Sequence, residues 1–297
     1  MRRAVVGFLT LALAVLACAT NSFARRSGTK FEWDEVTDKD WAVCEDSAKG
    51  IYDAVVVFEK ITQNDENLLN AKCYRTEYYR IRILSEKGRE WGDVDLPLKT
   101  EGLDIKFIKG RSIQRDGTVV ELQSDNIFTK DVVKAEGAKF TQVMFSMPGV
   151  TNDCIIEYVI SYQLKQEFLG WSSMGGAVLG WIAQKDIAVK HGEYHWIPWM
   201  PAKSDLDPRI LDFYDKFGAA LDFKTPNCLW MNFPTDPRIT KLPSPEQAEE
   251  VIFEVDDIPP FQGEPFSDPE ASLKARVITY HGSDAKSITY WGESVIS

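Results

Sequence analysis

The sequence predicts an all-β protein: a large antiparallel β-sandwich of two packed, twisted sheets, with a leader in front and the start of a helix at its end. Three observations carry that prediction. Apolar and polar residues alternate with period two through residues 51–164, the period of half-buried strands rather than helices. The breaks between these runs hold turn dipeptides. No helical segments separate the strands, as an α/β architecture would require.

The first residues address the compartment. Arg2 and Arg3 precede an apolar run from Ala4 to Ala19, and Ser22-Phe23-Ala24 ends in the small residues a signal peptidase reads. The run is short for a membrane span, which needs about 20 apolar residues. Residues 1–24 are therefore expected to be a signal peptide, making the protein exported: periplasmic, outer-membrane-associated or secreted. A second reading competes. Val15-Leu16-Ala17-Cys18 resembles a lipobox, in which Cys18 would be lipidated and anchor the chain to a membrane surface. Removing residues 1–24 takes away Arg2 and Arg3 and no acid, so the net charge of -11 becomes -13. That balance, with no basic run, argues against a nucleic-acid partner.

Along the body, Tyr79, Ile81 and Ile83 face one way, with Tyr78, Arg80 and Arg82 opposite. Leu103, Ile105 and Phe107 alternate with Asp104 and Lys106. Val143, Phe145 and Met147 repeat the pattern, as do Ile156, Tyr158, Ile160, Tyr162 and Leu164 against Glu157, Ser161 and Gln163. Lys87-Gly88, Asp116-Gly117 and Pro148-Gly149 supply the turns, and Asp-Gly suits a tight hairpin. After a Gly/Ser-rich stretch at 170–180, strand character returns from Trp181 to Trp196. Asp207-Pro208 predicts a short helix ending at Gly218, with Ile210, Leu211, Tyr214 and Phe217 on one face. Strands are expected again at 229–233, 251–255 and 273–280, with a Pro-punctuated link over 258–269. Lys286 to Ser297 reads as the opening of an amphipathic helix, with Ile288, Trp291 and Ile296 apolar.

Several stretches, taken in order, resemble one family. They are Asp53 to Glu59, Arg111-Ser112-Ile113-Gln114-Arg115-Asp116-Gly117-Thr118-Val119-Val120-Glu121, Met147-Pro148-Gly149-Val150 running to Tyr158, and Asp257-Ile258-Pro259-Pro260-Phe261 with Glu264-Pro265. Together they are similar to domain of unknown function 3857. The resemblance implies the β-rich region that precedes a transglutaminase-like domain, whose Cys-His-Asp triad would lie beyond Ser297. The expected organisation is then a signal peptide at 1–24, an N-terminal segment at 25–50, a sandwich domain at 51–282, and a helical lead at 283–297. The implied role is non-catalytic: supporting or presenting that second domain, which would be the chain's main partner.

His191-Gly192-Glu193-Tyr194-His195 is not the H-E-x-x-H zinc motif. On a strand these three polar residues share a face, but the two His backbones stand about 13 Å apart. An ordinary polar strand face is expected, with no metal and no cofactor. Asp256-Asp257 and Glu249-Glu250 are adjacent pairs whose members point to opposite faces, so neither converges on a glycosidase or calcium site. For nucleophilic catalysis, only His191, His195 and His281 could serve as base, and none lies in a catalytic signature. Hence no catalytic residue is expected in this chain. Beyond Ala24, Cys44, Cys73, Cys154 and Cys228 could form a disulfide or stay as buried thiols. Among Trp171, Trp181, Trp196, Trp199 and Trp230, the trio Trp181, Trp196 and Trp199 is the candidate platform for a cell-envelope glycan or peptide. Core packing is the competing use of those rings.

Overall fold

The computed structural model describes residues 31–43, 52–67, 72–96, 103–135, 138–164, 180–198, 226–243, 249–263 and 270–281. Residues 31–36 belong to a separate compact unit, in which Phe31 and Trp33 meet edge to face. The rest begins with one short helix, α1 (Asp38–Ala42), whose first turn is closed by Asp40 accepting from the Thr37 backbone N–H at 2.7 Å. In chain order the strands are β1 (Ala54–Asn67), β2 (Lys72–Ile83), β3 (Asp93–Asp95), β4 (Leu103–Gln114), β5 (Val119–Glu121), β6 (Ile127–Ala135) and β7 (Ala138–Ser146). There follow β8 (Cys154–Leu164), β9 (Gly180–Ile182), β10 (Ala188–Ile197), β11 (Pro226–Met231), β12 (Arg238–Pro243), β13 (Glu249–Ile258), a one-turn helix α2 (Glu270–Leu273) and β14 (Arg276–His281). No helix among the described residues is long and apolar enough to cross a membrane.

One sheet of eight strands, ordered β12-β13-β10-β1-β2-β8-β4-β5, forms a complete layer. Two small sheets, β3-β7-β6 and β11-β14-β9, pack side by side on its inner face. Phe145 of β7 meets Tyr158 of β8, while Trp181 of β9 stacks 6.2 Å from Tyr194 of β10 and Trp230 of β11 leans on Phe253 of β13. The predicted sandwich is therefore present, with its second layer split in two. Pairing is antiparallel except between β1 and β10, which run parallel.

Alternation decides which side chains enter the core. Ile81, Ile83, Ile156, Ile160 and Tyr162 point inward and are buried, as their period predicts. Strand β4 departs from the predicted alternation. A bulge between Ile105 and Phe107 resets the phase, so Ile105 pairs with Tyr162 on the inner side and Phe107 with Ser161 on the outer. The predicted hairpin at Asp116-Gly117 is closed as expected. Gly117 has φ +84, and the Gln114 N–H donates to the Thr118 carbonyl at 2.8 Å. The segment 181–196 is two strands in different sheets, broken at residues 183–187. The last strand starts at Arg276, because Glu270–Leu273 is helical. The helix expected over 207–218 and the one opening at 286 lie outside the described residues.

Two glycines answer to close approach. A Cβ on Gly88 would stand 1.9 Å from the Asp53 carbonyl oxygen, and one on Gly192 would stand 2.7 Å from Trp181 Cζ2. The second lets the indole lie flat on β10.

The inner layer also carries polar groups. Glu59 is fully buried; its Oε1 accepts from Trp181 Nε1 at 3.0 Å and pairs with Lys185 Nζ at 2.9 Å. Its Oε2 meets no partner among the described residues. Burial raises its pKa, and the neighbouring Lys185 ammonium only partly opposes that. Because the folded-state value lies above the unfolded one of about 4.3, the stability Glu59 contributes is complete below that pH and is lost as pH rises through the folded value. Glu59→Gln does not titrate. Its stability relative to the parent is therefore expected to climb with pH above about 4.3. Urea unfolding of both proteins at a series of pH values checks this; a difference that stays flat would contradict it.

Candidate functional site

Among the described residues, the outer face of the large sheet carries a close array of ionisable side chains. Strand register builds it in cross-strand rows. One row runs Asp256 (β13), His191 (β10), Phe58 (β1), Arg80 (β2), Glu157 (β8) and Arg111 (β4). The next holds Glu254, Glu193, Lys60 and Tyr78. Opposite residues on neighbouring strands sit about 4.5–5.5 Å apart, which is why charges from distant parts of the chain meet.

At the centre of the sheet the row is buried. Glu157 is fully inaccessible, its Oε1 accepting from Arg80 Nε at 2.7 Å and from the Tyr78 hydroxyl, its Oε2 from Arg111 Nε at 2.6 Å. Arg80 also reaches Asp40 of α1 at 3.0 Å, and Arg82 donates to the Val43 carbonyl at 2.8 Å. Trp41 lies over the Arg82 and Arg115 guanidinium groups, 5.9 and 4.9 Å from their carbons. This part is a structural joint between helix and sheet.

Toward β13 the face opens to solvent. Glu193 lies between the two imidazoles that flank it in sequence. His195 Nε2 is 2.8 Å from its Oε2, and His191 Nε2 is 3.4 Å from its Oε1. Lys60 Nζ stands 3.1 Å from Oε2. Each ring is anchored at its other nitrogen by a carboxylate of β13: His191 Nδ1 by Asp256 at 2.6 Å, and His195 Nδ1 by Glu250 at 2.8 Å. Phe58 stacks on His191 with planes 11° apart. Arg238 of β12 donates to Asp256 Oδ2 at 2.7 Å.

The electrostatics follow from this crowding. Hydrogen bonds to the Glu193 carboxylate first, and also to that of Asp256, raise the His191 pKa against the opposing effect of burial. Burial works against the charged form of His195, yet the Glu193 and Glu250 carboxylates outweigh it and its pKa is raised too. Burial likewise opposes the Glu193 carboxylate, but both imidazoles and Lys60 hold its carboxyl well below the usual range. His195, with a carboxylate at 2.8 Å from each nitrogen, is placed to be doubly protonated. His191 holds one carboxylate tightly at Nδ1 and only touches the other at Nε2.

The ligating atoms of His191, Glu193 and Glu254 lie within 4.8 Å of one another. The backbone spacing of the two His is as expected, but it does not keep them from one shared partner, because each ring leans toward Glu193. Lys60, Arg238, Glu250, Glu254 and Asp256 also contribute to this site, brought in by strand pairing. The alternation of Val251, Phe253 and Val255 with Glu250, Glu254 and Asp256 put those acids on one face. It did not say that β13 would lie against β10.

Of the candidate platform, Trp181 and Trp196 take the competing use, core packing. Trp181 and Trp196 are 2% and 1% exposed, their indole N–H groups donating to Glu59 and to the buried Asp65. Large flat rings with one donor do better inside a sandwich once a carboxylate meets that donor. Trp171, Trp199 and Cys18 lie outside the described residues, while Trp230 is partly exposed at the edge of its sheet. Cys73, Cys154 and Cys228 are free thiols whose pKa values burial raises, the reverse of an activated nucleophile. Cys44 and the His281 side chain are outside the described residues.

Fold and site together define an all-β sandwich domain with one charged, half-open sheet face. Residues 70–207 match the family described as Domain of Unknown Function with solved-structure structure (DUF3857). The match bears out the resemblance over that stretch. It contains β2 to β10, whereas β1 and β13, which share their sheet, lie outside the matched residues. Among solved structures, a provisionally assigned protease from Parabacteroides distasonis aligns with TM-score 0.58 at 11% identity. The alignment covers 76% of this chain and 40% of that one, so the chain spans well under half of that protein. The likeness speaks for the fold alone. A leukotriene A4 hydrolase from yeast (TM-score 0.33, 8% identity, 77% of this chain and 29% of that one) and a nutrient-binding protein assigned in Legionella pneumophila (0.30, 10%, 76% and 67%) align too loosely to argue from. No curated protein matches the sequence.

Proposed function

We propose that this chain is an extracytoplasmic, non-catalytic sandwich module that supports or presents a transglutaminase-like domain in a longer polypeptide. The observation that carries the reading is the way its polar chemistry is used. The best-placed carboxylates and cations, Glu157 with Arg80 and Arg111, join strands and α1 rather than line an accessible cleft. Cys73 and Cys154 are buried and Cys228 half-buried, all with raised pKa values, which suits packing better than nucleophilic attack. The family match and the alignment with part of a longer, provisionally assigned protease support the same reading. Export rests on the leader at residues 1–24, with Cys18 lipidation as the alternative fate of the N-terminus.

The test is expression with the leader intact, followed by mass spectrometry, circular dichroism and turnover assays. A β-rich, cooperatively melting product that begins at residue 25, or at a lipidated Cys18, fits the proposal. It should neither hydrolyse peptides nor incorporate an amine donor into casein. Turnover by the purified chain, or retention of the leader in the cytoplasm, overturns it. With Trp181 and Trp196 buried, nothing at those two rings favours the glycan- or peptide-platform reading.

A further inference from the structure

We infer that His191, Glu193 and Glu254 form a binding site for a divalent transition-metal ion of the zinc class, set on the open end of the outer sheet face. Register brings the three together. Glu193 and Glu254 are directly opposite on β10 and β13, and His191 is two residues along β10 on the same face. Their ligating atoms fall within 4.8 Å of one another. The 3.4 Å between His191 Nε2 and Glu193 Oε1 matches the edge of a tetrahedron with metal–ligand bonds of about 2.0–2.1 Å. One imidazole and two carboxylates neutralise a 2+ ion and leave a fourth position for water.

The surroundings are those of a ligand set held in place. Asp256 lies 2.6 Å from His191 Nδ1; by accepting the Nδ1–H of the neutral ring it would leave Nε2, 3.4 Å from Glu193 Oε1, free to ligate. Arg238 holds that Asp256 through its other oxygen, and the Phe58 ring fixes the imidazole plane. On the far side of Glu193, His195 and Lys60 occupy Oε2 and orient the carboxylate, so Oε1 faces the ion. All three ligands are partly exposed, His191 and Glu254 each to 32%, so an ion can reach them from solvent. The imidazole ligand sets the class. Magnesium and calcium prefer all-oxygen shells, whereas zinc, cobalt and nickel take nitrogen readily.

The purified chain, stripped with chelator and titrated with zinc by calorimetry and with cobalt by visible absorption, tests this. Saturable binding of one ion per chain is expected. Cobalt should show the intense bands of a four-coordinate site. His191→Ala and the near-isosteric Glu254→Gln should each lower affinity by tenfold or more, and Asp256→Asn by about 10–100-fold. Cys228→Ser should change nothing, which separates this site from adventitious thiolate binding. The inference fails if the folded chain binds neither ion saturably. It also fails if magnesium competes equally, or if binding survives both His191→Ala and Glu254→Gln unchanged.

Discussion

Glu157→Ala is expected to remove about 3–5 kcal/mol of folding stability, the usual cost of breaking a buried ion pair by deleting one partner. The carboxylate has no exposed surface and takes hydrogen bonds from Arg80, Arg111 and Tyr78. Alanine would leave Arg80, itself 5% exposed, with only Asp40 from this group, and would leave a void in the middle of β8. The loss should show as a lower denaturant midpoint with an unchanged slope. Because Arg80 also ties α1 to the sheet, amides of Asp38–Ala42 should exchange faster in the variant. Glu157→Gln keeps the shape and one acceptor oxygen but turns the other into an NH2 donor facing an arginine or tyrosine donor, and should fall between the two proteins. A measured loss below about 1 kcal/mol would mean that the cluster behaves as a solvated surface pair.

Trp181→Ala is expected to cost about 3–5 kcal/mol as well, by a different mechanism. Its indole is packed between the layers, over Gly192 and against Tyr194 and Phe233, so alanine leaves a cavity that backbone sheets cannot close. The substitution also takes the N–H from Glu59 Oε1 and leaves Lys185 as that oxygen's remaining partner. Thermal and urea unfolding measure the effect. An unchanged midpoint would place this ring outside the core and would reopen the reading of Trp181 as a ligand surface.

The site was harder to read than the fold, for a reason visible in individual residues. His191, Glu193 and His195 announce a shared face by spacing alone. The residues that complete the cluster come from β1, β12 and β13, up to 133 positions away in the case of Lys60 and Glu193. Only pairing decides that Lys60 faces Glu193 while Glu77 turns inward opposite Ile61. The choice between core packing and a ligand platform for Trp181 and Trp196 was open on the same ground. Nothing local tells an indole that a carboxylate such as Glu59 or Asp65 will meet its N–H inside the core.

What the sequence determined by itself was local and periodic. Period-two alternation chose strand over helix, put Ile156, Tyr158, Ile160 and Tyr162 on one face, and marked the Asp116-Gly117 hairpin, because each depends only on near neighbours and backbone sterics. Tertiary structure decided the rest: the parallel β1–β10 pairing, the division of the second layer into two sheets, the bulge that turns Phe107 away from Ile105, and the meeting of β10 with β13. Those outcomes depend on which distant strands lie side by side. That choice is made by the summed burial of whole faces, a quantity no short stretch of chain contains.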